Sequence, residues 1–454
     1  MLFWIYRIGV SDRYIYTLRG AWRCSFRPTG FAEPYTVERA TIEAPRFCNV
    51  LNNNIYQACL EFQCHINLIM ANADLRAAQA GKNDEFYTQF RDIEIEMNSY
   101  IEYNPDVFRG KTILLPCDDP EWSNFTKFFA AKFDEYGIKK LICTSYAPES
   151  KKMILGGLFS EWEKESPQFN ANKSKTHGKI FILERDITGD GRINIDDLEW
   201  GYLEGNGDFR SVEVTRLRDE ADIIITNPPF SLFREFLSWI LGANKEFIII
   251  GNVNAINYKE CFPLIMSNRI WLGPSIHKGD REFQVPEDYP IKASGWRIDE
   301  VGRKFIRVKG VRWFTNIDHG RRHDPLPLMT MDDNLRFSRH KEIKGKEKYE
   351  RYENYDAIEV PFSDAIPSDY EGVMGVPLTF IDKYCPEQFE IIGITENLDL
   401  YGLKTKRYTK EECQAAYKAK FGKPGTYDLN ASAVLKINGQ LEKLYVRLLI
   451  RKLL

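Results

Sequence analysis

The tetrapeptide Asn227-Pro228-Pro229-Phe230 follows an apolar run at 223–225 that is typical of a buried strand. Successive prolines fix the backbone and remove two N–H donors, so the carbonyls of Asn227 and Pro228 lack regular ladder partners. With the Asn227 side-chain oxygen they form a rigid cluster of acceptors, and the Phe230 ring can close one side. Such a cluster suits the exocyclic amino group of a planar ring, because two acceptors take its hydrogens and leave the nitrogen lone pair aimed outward. The alternative is a proline-rich turn between a strand and a helix that has no chemical role.

The elements that must position this turn are predicted from alternating apolar patterns. Strands are predicted at 111–117, 139–146, 178–184, 221–226, 246–252 and 269–273. Helices are predicted at 123–137, 211–221, 231–242 and, for the most part, 255–268. Apolar strands that alternate with helices indicate an α/β fold, with a mainly parallel sheet flanked by helices. Ligands of such sheets bind at the carboxyl ends of the strands, which is where the tetrapeptide lies.

The pattern changes after about residue 275. Residues 304–316 predict a hairpin that turns at Lys309-Gly310. Beyond Pro325 the chain is polar and irregular, and the closing segment 444–454 fits either a strand or a helix. Arginine and lysine outnumber the acidic residues between positions 303 and 348, which is typical either of a solvated face or of a surface that contacts phosphates.

Length and composition narrow the class of protein. A chain of 454 residues predicts two or three domains, and 43% hydrophobic with 28% charged residues is ordinary for a soluble globular protein. The net charge of −3 does not by itself indicate nucleic-acid binding. No apolar run is long enough to cross a bilayer, so no membrane partner is expected. The nine cysteines include no CxxC pair and no zinc-like spacing with histidine, which favours free thiols in a reducing cytoplasm.

Residues 1–69 differ in composition from the rest of the chain. They contain four of the nine cysteines and no lysine, and Met70 opens a stretch that reads like a natural protein start. Our hypothesis is that residues 1–69 come from an early start-codon assignment and are not part of the working fold. The alternative is a genuine amino-terminal extension.

A calcium-loop pattern stands apart from the tetrapeptide, at residues 186–197. Asp186, Thr188 and Asp190 occupy positions one, three and five of that pattern, and Asp197 occupies position twelve, where glutamate is standard. The segment resembles the single loops of dockerin-like modules. It is either a structural Ca²⁺ site or a metal-free acidic turn inserted between strands.

Six segments recur in the order found in one known family. They are 82–89, 117–125, 207–211, 226–235, 249–260 and 310–316. This set resembles the EcoRI-type family of adenine-specific DNA methyltransferases and covers most of residues 70–454. The resemblance implies a Rossmann-like S-adenosylmethionine-dependent core at 70–319, with 186–197 as an insertion. It also implies an α+β target-recognition region at 320–454.

The resemblance also implies a reaction and a set of cofactor contacts. The methyl group of S-adenosylmethionine is transferred to N6 of a flipped adenine in double-stranded DNA, with the 227–230 turn orienting the nucleophile. The residues implied to contact the cofactor are Phe86, Tyr87 and Thr88 at its methionine end, Asp118 and Asp119 at its ammonium, and Asp208 and Phe209 at its adenine. Segment 117–125 lacks the usual glycine-rich loop. Ordinary packing and turn formation are the alternatives for each of these residues.

A flipped adenine needs a second aromatic face opposite Phe230. The resemblance assigns that role to one of Trp313 and Phe314. Strand alternation predicts that one of the two points into the core and the other outward. Burial of both in the core is the alternative.

The partners expected of such an enzyme are duplex DNA and a cognate restriction endonuclease, with the chain acting as a cytoplasmic monomer. Methylation of RNA adenine or of a protein glutamine uses the same chemistry, although the long carboxyl-terminal part argues against a glutamine enzyme. A DNA-binding protein with a decayed, non-catalytic core is the third interpretation. The intact tetrapeptide at 227–230 argues against decay.

Overall fold

The structure is a computed structural model that describes residues 88–118, 123–147, 166–277, 280–285 and 295–453, together with the backbones of the paired strands Tyr16–Thr17 and Gly20–Ala21. The chain divides into two compact units, Met1–Gln63 and Cys64–Leu454. The two short strands belong to the first unit, and every element discussed below belongs to the second. Apart from these two strands, residues 1–69 lie outside the described part of the chain. The hypothesis that they are not part of the working fold therefore stays a hypothesis.

Strands and helices alternate through the first half of the second unit, as predicted. The strands are β1 (Thr112–Leu115), β2 (Lys140–Thr144), β3 (Lys179–Leu183), β4 (Glu199–Tyr202), β5 (Ile223–Thr226), β6 (Glu246–Asn252), β7 (Trp271–Leu272), β8 (Arg281–Val285), β9 (Arg297–Ile298), β10 (Lys304–Val308), β11 (Val311–Thr315), β12 (Ile358–Glu359), β13 (Met374–Pro377), β14 (Phe389–Ile394), β15 (Val434–Ile437), β16 (Gln440–Lys443) and β17 (Arg447–Lys452). The helices are α1 (Phe90–Tyr103), α2 (Asn124–Ala131), α3 (Phe133–Tyr136), α4 (Lys173–Thr176), α5 (Val212–Glu220), α6 (Phe233–Leu241), α7 (Phe262–Met266), α8 (Met331–Phe337) and α9 (Lys410–Phe421).

Eight strands form the central sheet in the order β4-β3-β2-β1-β5-β6-β11-β7. The four middle strands β2, β1, β5 and β6 are parallel to their neighbours in this group. Strands β3 and β11 run in the opposite direction, so six of the eight strands share one direction. The predicted α/β fold with a mainly parallel sheet is therefore confirmed.

Both faces of the central sheet are covered, because the interiors of its middle strands are apolar. All four residues of β1 and all four of β5 are buried. The helix predicted at 123–137 forms as α2 and α3: Ser123 caps its start by accepting a hydrogen bond from Phe125 N, and Gly137 ends it with φ 62°. One face packs against the aromatic side chains of α1 and α2, and the other packs against α6 and α7.

The predicted hairpin at 304–316 is wrong. The chain does turn at Lys309-Gly310, with Gly310 at φ 70°, but β10 and β11 do not pair with each other. Strand β10 lies between β8 and β9 in a separate three-stranded sheet, whereas β11 pairs with β6 and β7. Every residue of β11 is buried, and a strand of that kind is stable inside a sheet covered on both faces rather than in an exposed hairpin.

The carboxyl-terminal part forms a four-stranded sheet in the order β12-β13-β17-β14. The closing segment 444–454, for which the sequence fitted either a strand or a helix, contains the strand β17. This sheet shares a continuous apolar core with the α6 and α7 face of the central sheet, which includes Phe314, Phe380 and Ile450. A buried ion pair also joins the two parts, with Arg312 Nε 3.0 Å from Asp382 Oδ1. Within the described residues, no helix is long and apolar enough to span a membrane. The boundary at 319/320 stays a prediction.

Candidate active site at the carboxyl edge of the central sheet

The tetrapeptide leaves β5 at the carboxyl edge of the sheet, between the ends of β1 and β6. Pro228 is buried, and the other three residues of the turn are partly buried. Pro229 has an extended ψ of 124°, and a short 3₁₀ turn, Phe230–Leu232, then leads into α6. The prolines thus end the strand ladder within one step, and they present the turn to the crevice where ligands of α/β sheets bind.

A buried carboxylate fixes the point where the chain enters this turn. Thr226 Oγ1 lies 2.6 Å from Asp118 Oδ2 and 2.5 Å from the carbonyl oxygen of Pro116. Ser123 Oγ donates to the other oxygen, Asp118 Oδ1, at 2.7 Å. Asp118 is only 7% exposed, so these bonds form away from bulk water. One carboxylate therefore links the end of β1, the start of α2 and the residue that directly precedes Asn227.

Two buried hydroxyl groups are available to a polar ligand near the ends of β1 and β2. Thr88 is held beside the start of α2 by a hydrogen bond of 2.7 Å from Asn124 Nδ2 to its carbonyl oxygen. Its hydroxyl and that of Thr144 are buried, and neither has a hydrogen-bond partner among the described residues. A buried hydroxyl without a partner is unfavourable, so a bound polar molecule would stabilise this edge. Phe86, Tyr87 and Asp119 lie outside the described residues.

Asp208 also lies near this edge, but its carboxylate already has a partner. Arg210 contacts it with two nitrogens, Nε to Oδ1 at 2.9 Å and Nη2 to Oδ2 at 2.7 Å. The hydrogen bonds from Arg210 hold the pKa of Asp208 below its usual value. Arg210 also reaches Glu235 of α6 at 2.9 Å, which ties the loop to that helix. The carboxylate oxygens keep further lone pairs for an additional donor.

Three of the aromatic residues predicted for the site, Phe209, Trp313 and Phe314, lie in the core. Phe209 is 3% exposed and packs edge-on against Phe236, with ring centroids 5.0 Å apart. Trp313 and Phe314 alternate across β11 as predicted, but both are completely buried, in the cores on opposite faces. The expectation that one of these two points outward was therefore wrong. The reason is that β11 is an inner strand, and distant segments of the chain cover both of its faces.

Tyr146 and Asn206, which were not predicted as site residues, connect two loops at this edge of the sheet. Asn206 Nδ2 donates to the Tyr146 hydroxyl at 3.3 Å, and the Asn206 carbonyl accepts from Ala147 N at 2.8 Å. Gly207 follows with φ 81°, and a Cβ at that position would lie 2.1 Å from the carbonyl oxygen of Ser145. The loops after β2 and β4 are therefore in close contact. The Asn-Gly pair just before Asp208 was the signal in the sequence that could have indicated this turn.

The metal interpretation of residues 186–197 is not supported. Asp186 accepts hydrogen bonds from Gly189 N and Gly191 N, and Asp197 accepts from the backbone N–H groups of residues 187, 188 and 194. These bonds lower the pKa of Asp197 to about 2. Across the described residues, no group of three or more metal-ligating side chains comes together. The segment is a turn closed by its own hydrogen bonds, and Thr188 and Asp190 lie in it without forming a ligand cluster.

An Asn-Pro-Pro-Phe turn at the carboxyl edge of a mainly parallel sheet is the arrangement that the sequence resemblance predicted for a methyltransferase that acts on amino groups. Residues 74–453 match the family described as Adenine-specific methyltransferase EcoRI. The chain belongs to this family, as the resemblance predicted. It is an adenine-specific DNA methyltransferase, and membership implies that it uses S-adenosylmethionine.

Similar proteins cover most of the chain. It is 42% identical over 328 residues to the Type II methyltransferase M.EcoRI of Escherichia coli, a match that covers 72% of this chain and 91% of the relative. It is 32% identical over 339 residues to the Type II methyltransferase M.MpnI of Mycoplasma pneumoniae, over 73% and 90% of the two chains. No solved structure matches. These matches do not favour the RNA, glutamine or decayed-core interpretations.

Proposed function

We propose that this enzyme methylates the N6 amino group of one adenine within a short specific sequence of duplex DNA, with the adenine turned out of the helix. The observation that carries the proposal is the 227–230 turn, which the Asp118 carboxylate holds through Thr226 at the carboxyl edge of the sheet. Membership of an adenine-specific family supports the choice of base.

The turn acts by accepting hydrogen bonds. The Asn227 side-chain oxygen and the Pro228 carbonyl accept the two hydrogens of the adenine amino group. This draws the nitrogen lone pair out of conjugation with the ring and directs it toward the methyl donor. Neither proline has an N–H that would compete with the amino group for the acceptor oxygens. The hydrogen-bonded Thr226 fixes the position of the chain at Asn227. The attack needs no strong base: the nitrogen–methyl bond forms as the sulfur–methyl bond breaks, S-adenosylhomocysteine leaves as a neutral thioether, and the methylated nitrogen then releases its extra proton to water. Phe230 provides a stacking face.

The cofactor supplies a methyl group on a positively charged sulfur. In this chain, the buried hydroxyls of Thr88 and Thr144 are donors or acceptors that suit its polar ends. Asp208 keeps lone pairs for an adenine amino group, and Arg210 keeps its carboxylate charged and oriented. Asp118, already bonded to Thr226 and Ser123, adds negative charge beside the start of α2. Phe86, Tyr87 and Asp119 are assigned to the same site by the family resemblance alone.

The remaining proposals concern base stacking, target recognition and the biological role. A stacking role for Trp313 or Phe314 would require that ring to leave its core, so that role stays a prediction. We assign target recognition to residues 320–454, which continue the basic run into the four-stranded sheet. Relatives named as Type II methyltransferases support a role in restriction-modification. We further propose that a cognate endonuclease reads the same site and that the enzyme acts as a monomer in the cytoplasm.

The test is transfer of a labelled methyl group from S-adenosylmethionine to unmethylated duplex DNA by the full chain, with single-base sequencing of the product. We expect label on adenine N6 at one short motif, and none with Asn227→Ala. Asn104→Ala is the matched control, because Asn104 is exposed and lies in the loop between α1 and the start of β1, at the opposite edge of the sheet. Label on cytosine, or equal transfer by the Asn227→Ala variant, would contradict the proposal.

A further inference from the structure

The three-stranded sheet of β8, β9 and β10 is attached to the same edge as the 227–230 turn. Strand β10 leads through Lys309-Gly310 into β11, whose first residue pairs with Asn252 at the carboxyl end of β6. Val253 N donates to the Gly310 carbonyl at 2.6 Å, and Asn252 Nδ2 donates to the Lys309 carbonyl at 3.0 Å. These bonds fix the small sheet beside the place where the target base must enter.

The two faces of this small sheet differ in chemistry. Its inner face carries Phe283, Ile306 and Val308, which are buried in the core that also contains Trp313. Its outer face carries arginines. This division follows from strand alternation, because side chains two residues apart lie on the same face. The inner face anchors the sheet and leaves the outer face to solvent or to a partner.

The outer arginines are held in place rather than left mobile. Arg297 and Arg307 both contact Glu282, at 2.9 Å and 3.6 Å, and their side chains remain 49% and 54% exposed. The Arg297 guanidinium lies over the Phe305 ring, 4.3 Å from its centroid. Arg303 is bound to Asp299 at 2.7 Å and is 57% exposed. A guanidinium held in this way keeps unused N–H donors for phosphate and loses little further freedom on binding.

Exposed apolar side chains alternate with arginine along the edge strand β9. Ile298 pairs with Lys304 and so lies on the face of Ile306, whereas Arg297 pairs with Phe305 on the outer face. Trp296, Ile298 and Val301 are 48%, 49% and 74% exposed, within a stretch of six residues. Single exposed apolar residues need no explanation, but several together mark an interaction surface. Apolar side chains flanked by arginine are typical of protein segments that lie in a groove of duplex DNA.

We propose that the sheet of β8, β9 and β10 is a DNA-contacting arm, in which Arg297, Arg303 and Arg307 contact backbone phosphates beside the target adenine and Trp296 contacts the adjoining groove. The inference rests on the proposed function, because the partner is the same duplex. It adds a surface outside residues 320–454, on the catalytic side of the chain.

The test measures the affinity of the full chain for a labelled duplex by fluorescence anisotropy, in the presence of S-adenosylhomocysteine and at several salt concentrations. The duplex contains the sequence that the enzyme methylates. For Arg297→Gln/Arg307→Gln we expect weaker binding and a slope of log K against log salt that is reduced by roughly one to two. Adding Glu282→Gln to this variant removes the carboxylate that the double substitution leaves unpaired, and the reduced slope should remain. Trp296→Ala should weaken binding about tenfold without changing the slope.

Arg109→Gln is the matched control, because Arg109 is 59% exposed, is paired with Asp106 and lies at the opposite end of β1. Its affinity and slope should equal those of the unaltered chain. If the unaltered chain binds and methylates DNA while the double and triple variants keep its affinity and slope, the arm is disproved and the proposed function stands. If the unaltered chain binds no duplex DNA, the proposed function fails first, and the arm with it.

Discussion

The two large sheets of the second unit place their polar groups differently. In the central sheet the interiors of the middle strands are apolar, and the Asp118 carboxylate and its hydrogen-bond partners lie at the carboxyl edge. The carboxyl-terminal sheet instead buries an ion pair within itself. Glu359 and Arg447 have side chains only 7% and 13% exposed, with Arg447 Nη2 2.8 Å from Glu359 Oε1, and the Tyr352 hydroxyl donates to the same carboxylate.

This difference separates groups that serve chemistry from groups that serve stability. A polar group at a sheet edge can exchange its partners for water or ligand, so its removal should alter the reaction more than the fold. A charge buried inside a sheet has no such alternative, and removal of its partner leaves it uncompensated. The substitutions below test this division.

The largest effect is expected from Glu359→Ala, which leaves Arg447 buried without its carboxylate. We expect a loss of about 3–5 kcal/mol in the free energy of unfolding, measured by urea denaturation. The double variant Glu359→Leu/Arg447→Met should recover most of this loss, because both charges are then absent. If the single substitution is as stable as the unaltered chain, the ion pair is not structural and the proposed contrast between the sheets fails.

Asn227→Ala should show the opposite pattern. The substitution removes one of two acceptors for the amino group, and we expect single-turnover methyl transfer to fall about a thousandfold, equivalent to about 4 kcal/mol. The free energy of unfolding should change by less than about 0.5 kcal/mol, since Asn227 is only partly buried. A parallel loss of stability and rate would show that the turn is a folding element first.

Glu96 is an exception in the central unit, because it is a buried carboxyl group away from the 227–230 turn. It is 0% exposed and accepts hydrogen bonds from the Tyr100 hydroxyl and Ser275 N, each at 2.9 Å. A Cβ on Gly273 would lie 2.0 Å from Glu96 Oε1, so glycine is required there. Burial raises the pKa of Glu96 from its usual 4.5 to about 7, and the hydrogen bonds from Ser275 partly oppose that rise.

The sign of the pH effect follows from that raised pKa. The unfolded chain loses the Glu96 proton near pH 4.5, whereas the folded chain keeps it to about pH 7. The contribution of Glu96 to stability is therefore full below pH 4.5, declines as pH rises to about 7, and is constant above that. Glu96→Gln should gain about 3 kcal/mol relative to the unaltered chain between pH 4.5 and pH 8. A difference that does not vary with pH would show that Glu96 is ionised in the fold.

Thr226→Val should have a smaller effect, on positioning. It removes the hydroxyl that contacts Asp118 and Pro116, while it keeps the shape of the side chain. We expect a roughly tenfold lower kcat and a loss of about 1–2 kcal/mol in stability. Thr226→Ser keeps the hydroxyl and should restore kcat, which a role in packing alone would not predict. A change in KM for DNA with unchanged kcat would contradict the positioning role.

The sequence predicted the middle of the central sheet well, because strands such as β5 and β6 are apolar runs with turn residues at their ends. It could not predict partners that are distant along the chain. Thr226 and Asp118 are 108 positions apart, so no local pattern joins them. The hairpin error has the same cause: alternation indicates a strand, but it does not say which sheet the strand enters. Burial of both Trp313 and Phe314 likewise depends on distant segments.

The smallest effect is expected from calcium. Asp186 and Asp197 already accept hydrogen bonds from backbone N–H groups of their own loop, so the turn is closed without an ion. Addition of calcium or of a chelator should leave the melting temperature unchanged within about 1 °C. Asp190→Asn is an informative variant, because Asp190 accepts from Arg192 N and an asparagine oxygen can accept the same bond. A calcium-dependent rise in melting temperature that Asp190→Asn abolishes would show that the loop binds the ion after all.

Because the loop and the 227–230 turn lie in different parts of the unit, methyl transfer should be insensitive to the chelator in either case.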